Sequence, residues 1–432
     1  MEAYLSYLDE QRIPFTIPGH KQKASKIWRE LGRIVDGDVP LYGGLDEIKL
    51  TNNTLKKAES LSAKLWGGEW ARFSSGGSTH TNQATILGIA KKGGKVAVTR
   101  NAHRSVLSGL VLAGLEPLWM FPEIDEKTGI PLGISPHQLS LVIQQKPIAV
   151  LLTEPGYMGT LSQLGKLIEI SHQNEIPVIV DSAWGAHFGF HKEIPKNCLQ
   201  MGADVLITSV HKNLPGYSAS SLVVAREGLV DLERLEQSFE TTHTTSPAGS
   251  VLASIDACRC LMEMKGEELL STLLFNVKNF KNQVNNHFNL DLFLDSSHFE
   301  INRFDPTKLV LLANRLGASG IAIEKELQKR MIRVEMADNQ CVVFIATICD
   351  DQNDFQILAD NLIEVLEKLK SHQTSFVTSL NWSVKPQFGI TMRDAYFSPT
   401  EIVPKGEAIG RISADLIAPY PPGNLFLNLI FY

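Results

Sequence analysis

Short runs of apolar, β-branched residues alternate with stretches of helical periodicity from about residue 55 to about residue 225. This alternation is typical of parallel α/β folds, in which a helix returns the chain from the end of one strand to the start of the next. Two of the runs, Ile148–Leu152 and Val178–Val180, are almost wholly apolar, as expected of strands covered on both faces. The sequence therefore predicts a mostly parallel sheet with helices on both sides.

The predicted elements divide the chain into an arm and two domains. The strands predicted for the large sheet are Lys95–Thr99, Pro117–Phe121, Ile148–Thr153, Pro177–Val180 and Asp204–Ser209. The helices predicted between them are Thr81–Lys91, Ser105–Ala113, Leu164–Asn174 and Pro195–Met201. Beyond residue 245 the predicted elements are the helices Pro247–Asn285, Ala322–Arg330 and Asp351–Lys370 and the strands Lys308–Leu312 and Cys341–Thr347. We therefore expect an N-terminal arm over residues 1–54, a large domain over 55–285 and a smaller α+β C-terminal domain over 286–432.

Composition excludes several classes of protein. The 432 residues carry a formal net charge of only -6, with 41 basic and 47 acidic side chains intermixed, which does not favour a nucleic-acid partner. The longest nearly apolar stretch, Val106–Phe121, contains Glu116 and Pro117 and is too short to span a membrane. The charged N-terminus is unlike a signal peptide, and the five cysteines form neither a disulfide framework nor a zinc ribbon. A cytoplasmic protein without a membrane partner is expected.

A lysine and an aspartate follow two of the predicted strands. Lys212 comes shortly after Asp204–Ser209, and Asp181 directly follows Pro177–Val180. Open α/β sheets bind ligands at this edge. Taken singly, a lysine such as Lys212 is more often a surface loop residue, and an aspartate such as Asp181 is more often a helix cap or turn former. Together they fit pyridoxal phosphate (PLP) chemistry, which needs a lysine to form an imine and an acid to keep the ring nitrogen protonated.

Two further features are placed to bind such a cofactor. The glycine-rich run Ser74–Thr79 precedes a predicted helix, and its backbone N–H groups with the hydroxyls of Ser78 and Thr79 would favour a phosphate. It is not a Walker A motif, because no lysine follows the last glycine. His103 follows the strand Lys95–Thr99, where its ring would either cover a cofactor ring or tie down the start of a helix.

A metal site is not predicted. His187 and His191 are four residues apart, but the glycines between and before them disfavour a helix, and a third ligand at a plausible spacing is missing.

A series of short motifs extends over nearly the whole chain. In chain order they are Pro18–Lys21, Leu45–Glu47, Ser75–Ser78, Arg100–His103, Asp181–Phe190, Ser209–Lys212, Thr244–Pro247, Gly410–Ala414 and Ala418–Gly423. In this order they resemble the Orn/Lys/Arg decarboxylases, which are PLP enzymes of the aspartate-aminotransferase fold (fold type I). The resemblance implies that fold and that cofactor for this chain.

The resemblance also implies roles for the residues around the cofactor ring. Lys212 would carry the cofactor as an imine, Asp181 would pair with the ring nitrogen, and His103 would stack on the ring. His211 would lie beside the imine as a candidate proton donor. Whether His211 or the released Lys212 protonates the product stays open.

The phosphate of the cofactor would be bound by a second group of residues. The resemblance implies that Ser78, Thr79 and Ser209 hold it within one subunit. In similar proteins two subunits complete each other's sites, so Thr244 and Thr245 would reach the phosphate of the neighbour in a homodimer or larger homo-oligomer.

The function implied by the resemblance is decarboxylation of lysine, arginine or ornithine to the corresponding amine and carbon dioxide, within polyamine metabolism. An aminotransferase or β-eliminating lyase on the same fold is the nearest alternative, and a non-catalytic scaffold is a second. The carboxylates that would recognise the substrate side chain are not fixed by sequence. Asp46, Glu47 and Glu335 are candidates.

Some residues depart from the family pattern. Trp184 stands where many relatives have a histidine, and Ser75 and Gly77 replace the usual Asn and Thr. The familiar continuation is absent after Gly423, so we expect a truncated C-terminal domain. The apolar segment Asn424–Tyr432 is expected either to dock as a strand or to lower solubility.

Overall fold

A computed structural model describes residues 13–15, 24–35, 54–126, 128–245, 247–298, 304–371 and 389–414. Four sequence predictions lie outside these residues: the motifs Pro18–Lys21, Leu45–Glu47 and Ala418–Gly423, and the apolar segment Asn424–Tyr432.

The main sheet of the described residues has seven strands in the order β2-β8-β7-β6-β5-β3-β4. Their bounds are β2 Trp70–Ser74, β3 Lys95–Thr99, β4 Glu116–Met120, β5 Ala149–Thr153, β6 Val178–Asp181, β7 Val205–Ser209 and β8 Ser221–Ala225. Strands β3 to β7 run parallel, whereas β8 is antiparallel to both of its neighbours, β7 and β2. The predicted mostly parallel sheet is confirmed.

Thirteen α-helices accompany the sheets in the part of the chain that is described. They are α1 Ala24–Ile27, α2 Arg29–Val35, α3 Thr54–Trp66, α4 Gly77–Gly88, α5 Arg104–Ala113, α6 Pro136–Ile143, α7 Leu164–His172, α8 Val210–Asn213, α9 Leu232–Thr242, α10 Gly249–Phe288, α11 Gly320–Lys329, α12 Gln352–Leu369 and α13 Met392–Phe397. None of these helices is long and apolar enough to cross a bilayer.

Strand β5 shows that the main sheet is covered on both faces. Val150 and Leu152 pack into one hydrophobic cluster, while Ala149 and Leu151 pack into another. All four side chains are buried. Because successive side chains of a strand point to opposite faces, apolar residues at every position are what such a strand requires.

A second, smaller sheet is antiparallel and has the order β11-β12-β9. Its strands are β9 Lys308–Leu312, β11 Met336–Ala337 and β12 Cys341–Ile345. The short strands β1 Ile13–Pro14 and β10 Ile332–Arg333 form a separate parallel pair. Phe15, which follows β1, is buried edge-on against Phe344 and Phe355, and this contact anchors the N-terminal segment to the smaller sheet.

One predicted helix is wrong. Pro195–Met201 forms turns, because Asn197 and Gln200 bond to each other's backbone N–H groups through their side chains, at 2.9 and 3.2 Å. Such local side-chain bonds compete with a helix. Two strands of the main sheet, β2 and β8, were not predicted, and neither were the two-residue strands β1, β10 and β11. The strand Lys95–Thr99 and the strand Lys308–Leu312 are confirmed to the residue.

Candidate active site

A cavity of about 300 Å³ opens at the carboxyl ends of strands β3, β5, β6 and β7. This is the edge at which the sequence placed a ligand site. Its lining in the described residues is Gly76, Gly77, Ser78, Thr79, Asn82, Asn101, His103, Thr153, Tyr157, Asp181, Ala183, Trp184, Ser209, His211, Lys212, Ala219 and Glu335. Seven of the nine residues assigned to the site from sequence are therefore brought together.

Lys212 lies on the short helix α8, which directly follows β7. Its Nζ is 4.1 Å from the centre of the Trp184 ring. Desolvation lowers the pKa of Lys212 to about 8, against the opposing effect of the carboxylates of Asp181 and Glu335. Near neutral pH, the fraction of neutral amine is therefore much larger than for an ordinary lysine, and the neutral amine is the nucleophilic form.

Asp181 is the last residue of β6 and is buried. Its Oδ2 accepts a hydrogen bond from Asn82 Nδ2 at 2.9 Å, and its Oδ1 accepts one from the backbone N–H of Ala183 at 3.2 Å. Both carboxyl oxygens of Asp181 thus accept hydrogen bonds, as suits a carboxylate, and this group lies close enough to Lys212 to influence its charge.

His103 caps a helix, which is one of the two roles that the sequence allowed. It also lines the cavity, where the other role, covering a cofactor ring, would require it to be. It is the N-cap of α5, where its Nδ1 accepts the backbone N–H of Ser105 at 3.2 Å and lies 2.8 Å from Ser105 Oγ. Burial is the main cause that lowers the pKa of His103. The charges of Lys212 and Arg104 lower it further, while Asp181 opposes them.

The glycine-rich run forms a cradle at the start of α4. The helix begins at Gly77, four residues earlier than predicted, and Gly77 has the positive φ of 66° that favours glycine. Ser78 Oγ lies 2.7 Å from Ser209 Oγ and 3.3 Å from Ser221 Oγ. The N–H groups of Gly76 and Gly77 already bond to Ser74 Oγ and to the Ala219 carbonyl oxygen, at 3.0 and 2.7 Å, so the donors for an anion are the hydroxyls and the next N–H groups of the helix terminus.

His211 and the two threonines complete the sequence-predicted set. His211 donates from Nδ1 to the carbonyl oxygen of Ser220 at 2.9 Å and lines the cavity. Thr244 and Thr245 are exposed beyond the end of α9, and within the described residues they are not part of the cavity lining. Of the three carboxylates considered for substrate recognition, Glu335 lines the cavity.

Sequence reasoning missed several cavity residues. Asn82 lies one turn after Ser78 on α4, and the i,i+4 spacing would have placed the two on one face once the helix start was known. Tyr157 lies in a loop after β5, where periodicity gives no signal. Its hydroxyl donates to Glu335 Oε1 at 3.4 Å.

Trp184 forms part of the cavity wall between two lysines. Lys308 Nζ, on the smaller sheet, is 3.9 Å from the centre of the indole ring, close to the 4.1 Å distance of Lys212 Nζ. The Tyr157 ring packs edge-on against Trp184 with 5.4 Å between centroids. Trp184 thus gives the cavity wall an aromatic surface over which two lysine ammonium groups lie.

Comparison with known proteins identifies a matching family and similar sequences. The family model described as Orn/Lys/Arg decarboxylase, major domain, matches residues 1–301. An arginine decarboxylase of Bacillus subtilis (strain 168) is 31% identical over 428 residues, covering 96% of this chain and 87% of the relative.

Two solved structures share the fold. Lysine decarboxylase A from Pseudomonas aeruginosa matches with a TM-score of 0.79 and 18% identity, covering 96% of this chain and 71% of that one. An SPT chain solved with PLP matches with a TM-score of 0.61 and 14% identity, covering 82% of this chain and 86% of that one.

Proposed function

The chain belongs to the Orn/Lys/Arg decarboxylase family, and from that premise we propose that it decarboxylates arginine with PLP as cofactor. It is an amino-acid decarboxylase with the predicted α/β fold of type I PLP enzymes. The single observation that carries the proposal is the cavity in which Lys212 and Asp181 meet the cradle of α4.

The cavity fits PLP on features of its own. A Cβ on Gly76 would lie 2.8 Å from the Cβ of His80, so a side chain there would disturb the cradle that the phosphate requires. Asn101, buried at the cavity, has an Oδ1 atom without a hydrogen-bond partner in the described residues, which suits a polar ligand. Gly76, Gly77, Ser78 and Thr79 would hold the phosphate.

The remaining cofactor contacts follow from the positions of three side chains. Lys212 would bind PLP covalently through Nζ, Asp181 would face the ring nitrogen, and His103 would lie against the ring. When bound, the cofactor supplies an electron sink for the electron pair that remains on Cα after the carboxylate leaves. The carboxylate of Asp181 would keep the ring nitrogen protonated and so sustain this sink.

A proton must replace the departing carboxylate, since amino acid plus one proton gives amine plus carbon dioxide. His211 uses Nδ1–H to bond Ser220, so any proton that it delivers must leave from Nε2. Lys212, whose pKa burial lowers to about 8, would hold or release a proton close to neutral pH whenever its amine is free. Both residues line the cavity, and we propose this pair as the proton source.

Arginine is proposed over lysine and ornithine because the arginine decarboxylase of Bacillus subtilis resembles nearly the whole chain at 31% identity. The negative charge of Glu335 and the aromatic face of Trp184 are both suited to a cationic side chain. The product amine would then enter polyamine metabolism.

We further propose a homodimer, in which Thr244 and Thr245 contact the cofactor phosphate of the partner. Both threonines are exposed on the segment after α9, and among the described residues of one subunit they lie outside the cavity lining, which supports this proposal. Multi-angle light scattering at the assay concentration should give a dimer or larger species. An active monomer would refute it.

The experiment for the function is a product assay. Purified protein is incubated with PLP and with arginine, lysine or ornithine in separate reactions, and both carbon dioxide and the amine are measured. We expect agmatine and carbon dioxide in equal amounts from arginine, and no product from a Lys212→Ala variant. A keto acid product would identify an aminotransferase, and the absence of any product with bound cofactor would favour a scaffold.

A further inference from the structure

We propose that Asn82 is a positioning residue that joins Asp181 to His103 through Ser105, holding Asp181 as a carboxylate and His103 as the neutral ring with its proton on Nε2. The catalytic consequence rests on the proposed function, whereas the proton positions do not.

The side-chain amide of Asn82 makes two bonds that determine its orientation. Nδ2 is 2.9 Å from Asp181 Oδ2 and 3.0 Å from Ser105 Oγ, so each of its two hydrogens has an acceptor. The opposite orientation would bring the amide oxygen against a carboxylate oxygen at the same distance, which is repulsive. Oδ1 of Asn82 is left buried without a hydrogen-bond partner in the described residues, so the carboxylate bond outweighs that cost.

The backbone N–H of Ser105 fixes the direction of the next bond, because it points to His103 Nδ1 at 3.2 Å and so makes this nitrogen an acceptor. Ser105 Oγ lies 2.8 Å from the same nitrogen and accepts a hydrogen from Asn82, which leaves the hydroxyl hydrogen to be directed to Nδ1. Two donors at Nδ1 exclude a proton on that atom, and the neutral ring therefore carries its proton on Nε2.

The charges around His103 agree with a neutral ring. Burial, Lys212 and Arg104 all lower the pKa of His103, and the opposing carboxylate of Asp181 does not reverse the direction. Asp181 accepts the bond from Asn82 at Oδ2 and the bond from the backbone N–H of Ala183 at Oδ1. A protonated ring would also set its Nδ1–H against the two Ser105 donors.

The position of Asn82 explains why one residue has these effects. It lies on α4 one turn beyond Ser78, which belongs to the phosphate cradle. The helix α4 therefore positions both the phosphate cradle and the carboxylate of Asp181. Through Ser105 it also contacts His103, which would cover the cofactor ring. Loss of the amide is expected to affect turnover more than substrate binding.

The test compares Asn82→Leu with Gln83→Leu in the full-length protein loaded with PLP. Gln83 is the next residue on α4 and makes an analogous bond to α5, from Nε2 to Ser108 Oγ at 2.9 Å, but it is outside the cavity lining. Asn82→Leu should lower kcat by about 10-fold to 100-fold with little change in KM, as expected for one lost bond to a charged group. Gln83→Leu should leave both values close to wild type.

The second readout does not depend on turnover. In protein labelled with 15N at the histidine rings, with His103 assigned from a His103→Gln variant, the wild-type ring should be neutral with its proton on Nε2 at pH 7. In Asn82→Leu the Ser105 hydroxyl can turn, and we expect a mixture of tautomers and a titration midpoint at higher pH. Ser105→Ala removes the hydroxyl but keeps the backbone N–H donor to Nδ1, so it should shift the tautomer population only in part, while keeping the bond from Asn82 to Asp181.

Distinct results separate the two proposals. A wild-type His103 that carries its proton on Nδ1 or is charged at pH 7 would overturn the inference, as would identical spectra and kinetics for Asn82→Leu and Gln83→Leu. If Asn82→Leu does not fold, an unchanged tautomer in Ser105→Ala overturns it. Protein with the expected His103 spectrum that releases no carbon dioxide from any of the three amino acids would refute the proposed function alone.

Discussion

Replacing Glu335 by Gln tests whether this carboxylate recognises the cationic end of the substrate. Glu335 comes from the connection between β10 and β11, where its backbone N–H bonds to Val343, so the smaller sheet delivers it to the cavity. Glutamine has nearly the same size but no charge. The variant therefore removes an electrostatic contact with little change in shape.

The magnitude follows from the surroundings of Glu335. A hydrogen bond to a charged group contributes about 1.5 to 3 kcal/mol, and the half-buried position of Glu335 favours the lower end because solvent screens the charge. About 1.5 kcal/mol corresponds to a rise in KM of roughly 10-fold. Glu335 also raises the pKa of Lys212, so the pKa of this lysine should move below about 8 in the variant.

The assay measures carbon dioxide release from arginine and from citrulline, whose ureido group is neutral. We expect Glu335→Gln to raise KM for arginine while leaving the weaker reaction with citrulline nearly unchanged. Glu233→Gln, at an exposed position on α9, makes the same charge change away from the cavity and serves as the control. An equal rise in KM for both substrates, or none for arginine, would refute the assignment of Glu335.

Asp181→Asn should keep much of the cofactor, seen as its absorbance, but lower kcat on the order of 100-fold or more, because an amide does not sustain the electron sink; wild-type turnover would show that Asp181 is only structural. Borohydride reduction should fix the cofactor on Lys212 in a peptide map, and cofactor capture should accelerate as pH rises toward about 8, where the ammonium becomes the nucleophilic amine. A pH-independent rate, or label on another lysine, would contradict this. Asp305→Asn should lower the free energy of unfolding by about 3 to 5 kcal/mol in urea denaturation, because Lys308 and His187 lose a buried carboxylate. The pKa of the Asp305 carboxyl is lower in the folded than in the unfolded protein, so the ionised carboxyl stabilises the fold at pH values above its unfolded pKa. This stabilisation is lost as the pH falls through the folded pKa. The difference in unfolding free energy between the wild type and Asp305→Asn should therefore disappear at low pH.

The fold could be predicted where burial alone determines the pattern. The strand Lys95–Thr99 and the ends of β6 and β7 follow from apolar runs that a doubly covered sheet requires. The strands β2 and β8 pair antiparallel with each other although residues 75–220 separate them in the sequence. Local sequence patterns do not indicate a pairing over such a distance. Pro195–Met201 shows the reverse error, because apolar spacing typical of a helix coincides with side-chain bonds that stabilise a turn.

The candidate site could be predicted where residues follow strands. Asp181, Lys212 and His103 were found because strand ends meet at one edge of a parallel sheet, and the structure brings all three to one cavity. Asn82 and Tyr157 were not found, since their places depend on the start of α4 and on the path of a loop. Such tertiary contacts are not encoded in the spacing of one segment.

The register of the smaller sheet determines one wall of the cavity. Lys308 pairs with Ile345 at the start of β9, and its side chain lies on the same face as Val310 and Leu312, whose cluster contains Trp184. The neighbouring residues of β9, at 309 and 311, face the main core instead. If the register of β9 shifted by one residue, a leucine would take the place of the Lys308 ammonium beside Trp184. Asp305 would then lose the positive charge that it faces. The pairing of β9 with β12 thus determines which charge lies beside Trp184, on the side of the cavity that Lys212 also contacts. Neither strand belongs to the main sheet, whose strand β7 leads into the helix with Lys212.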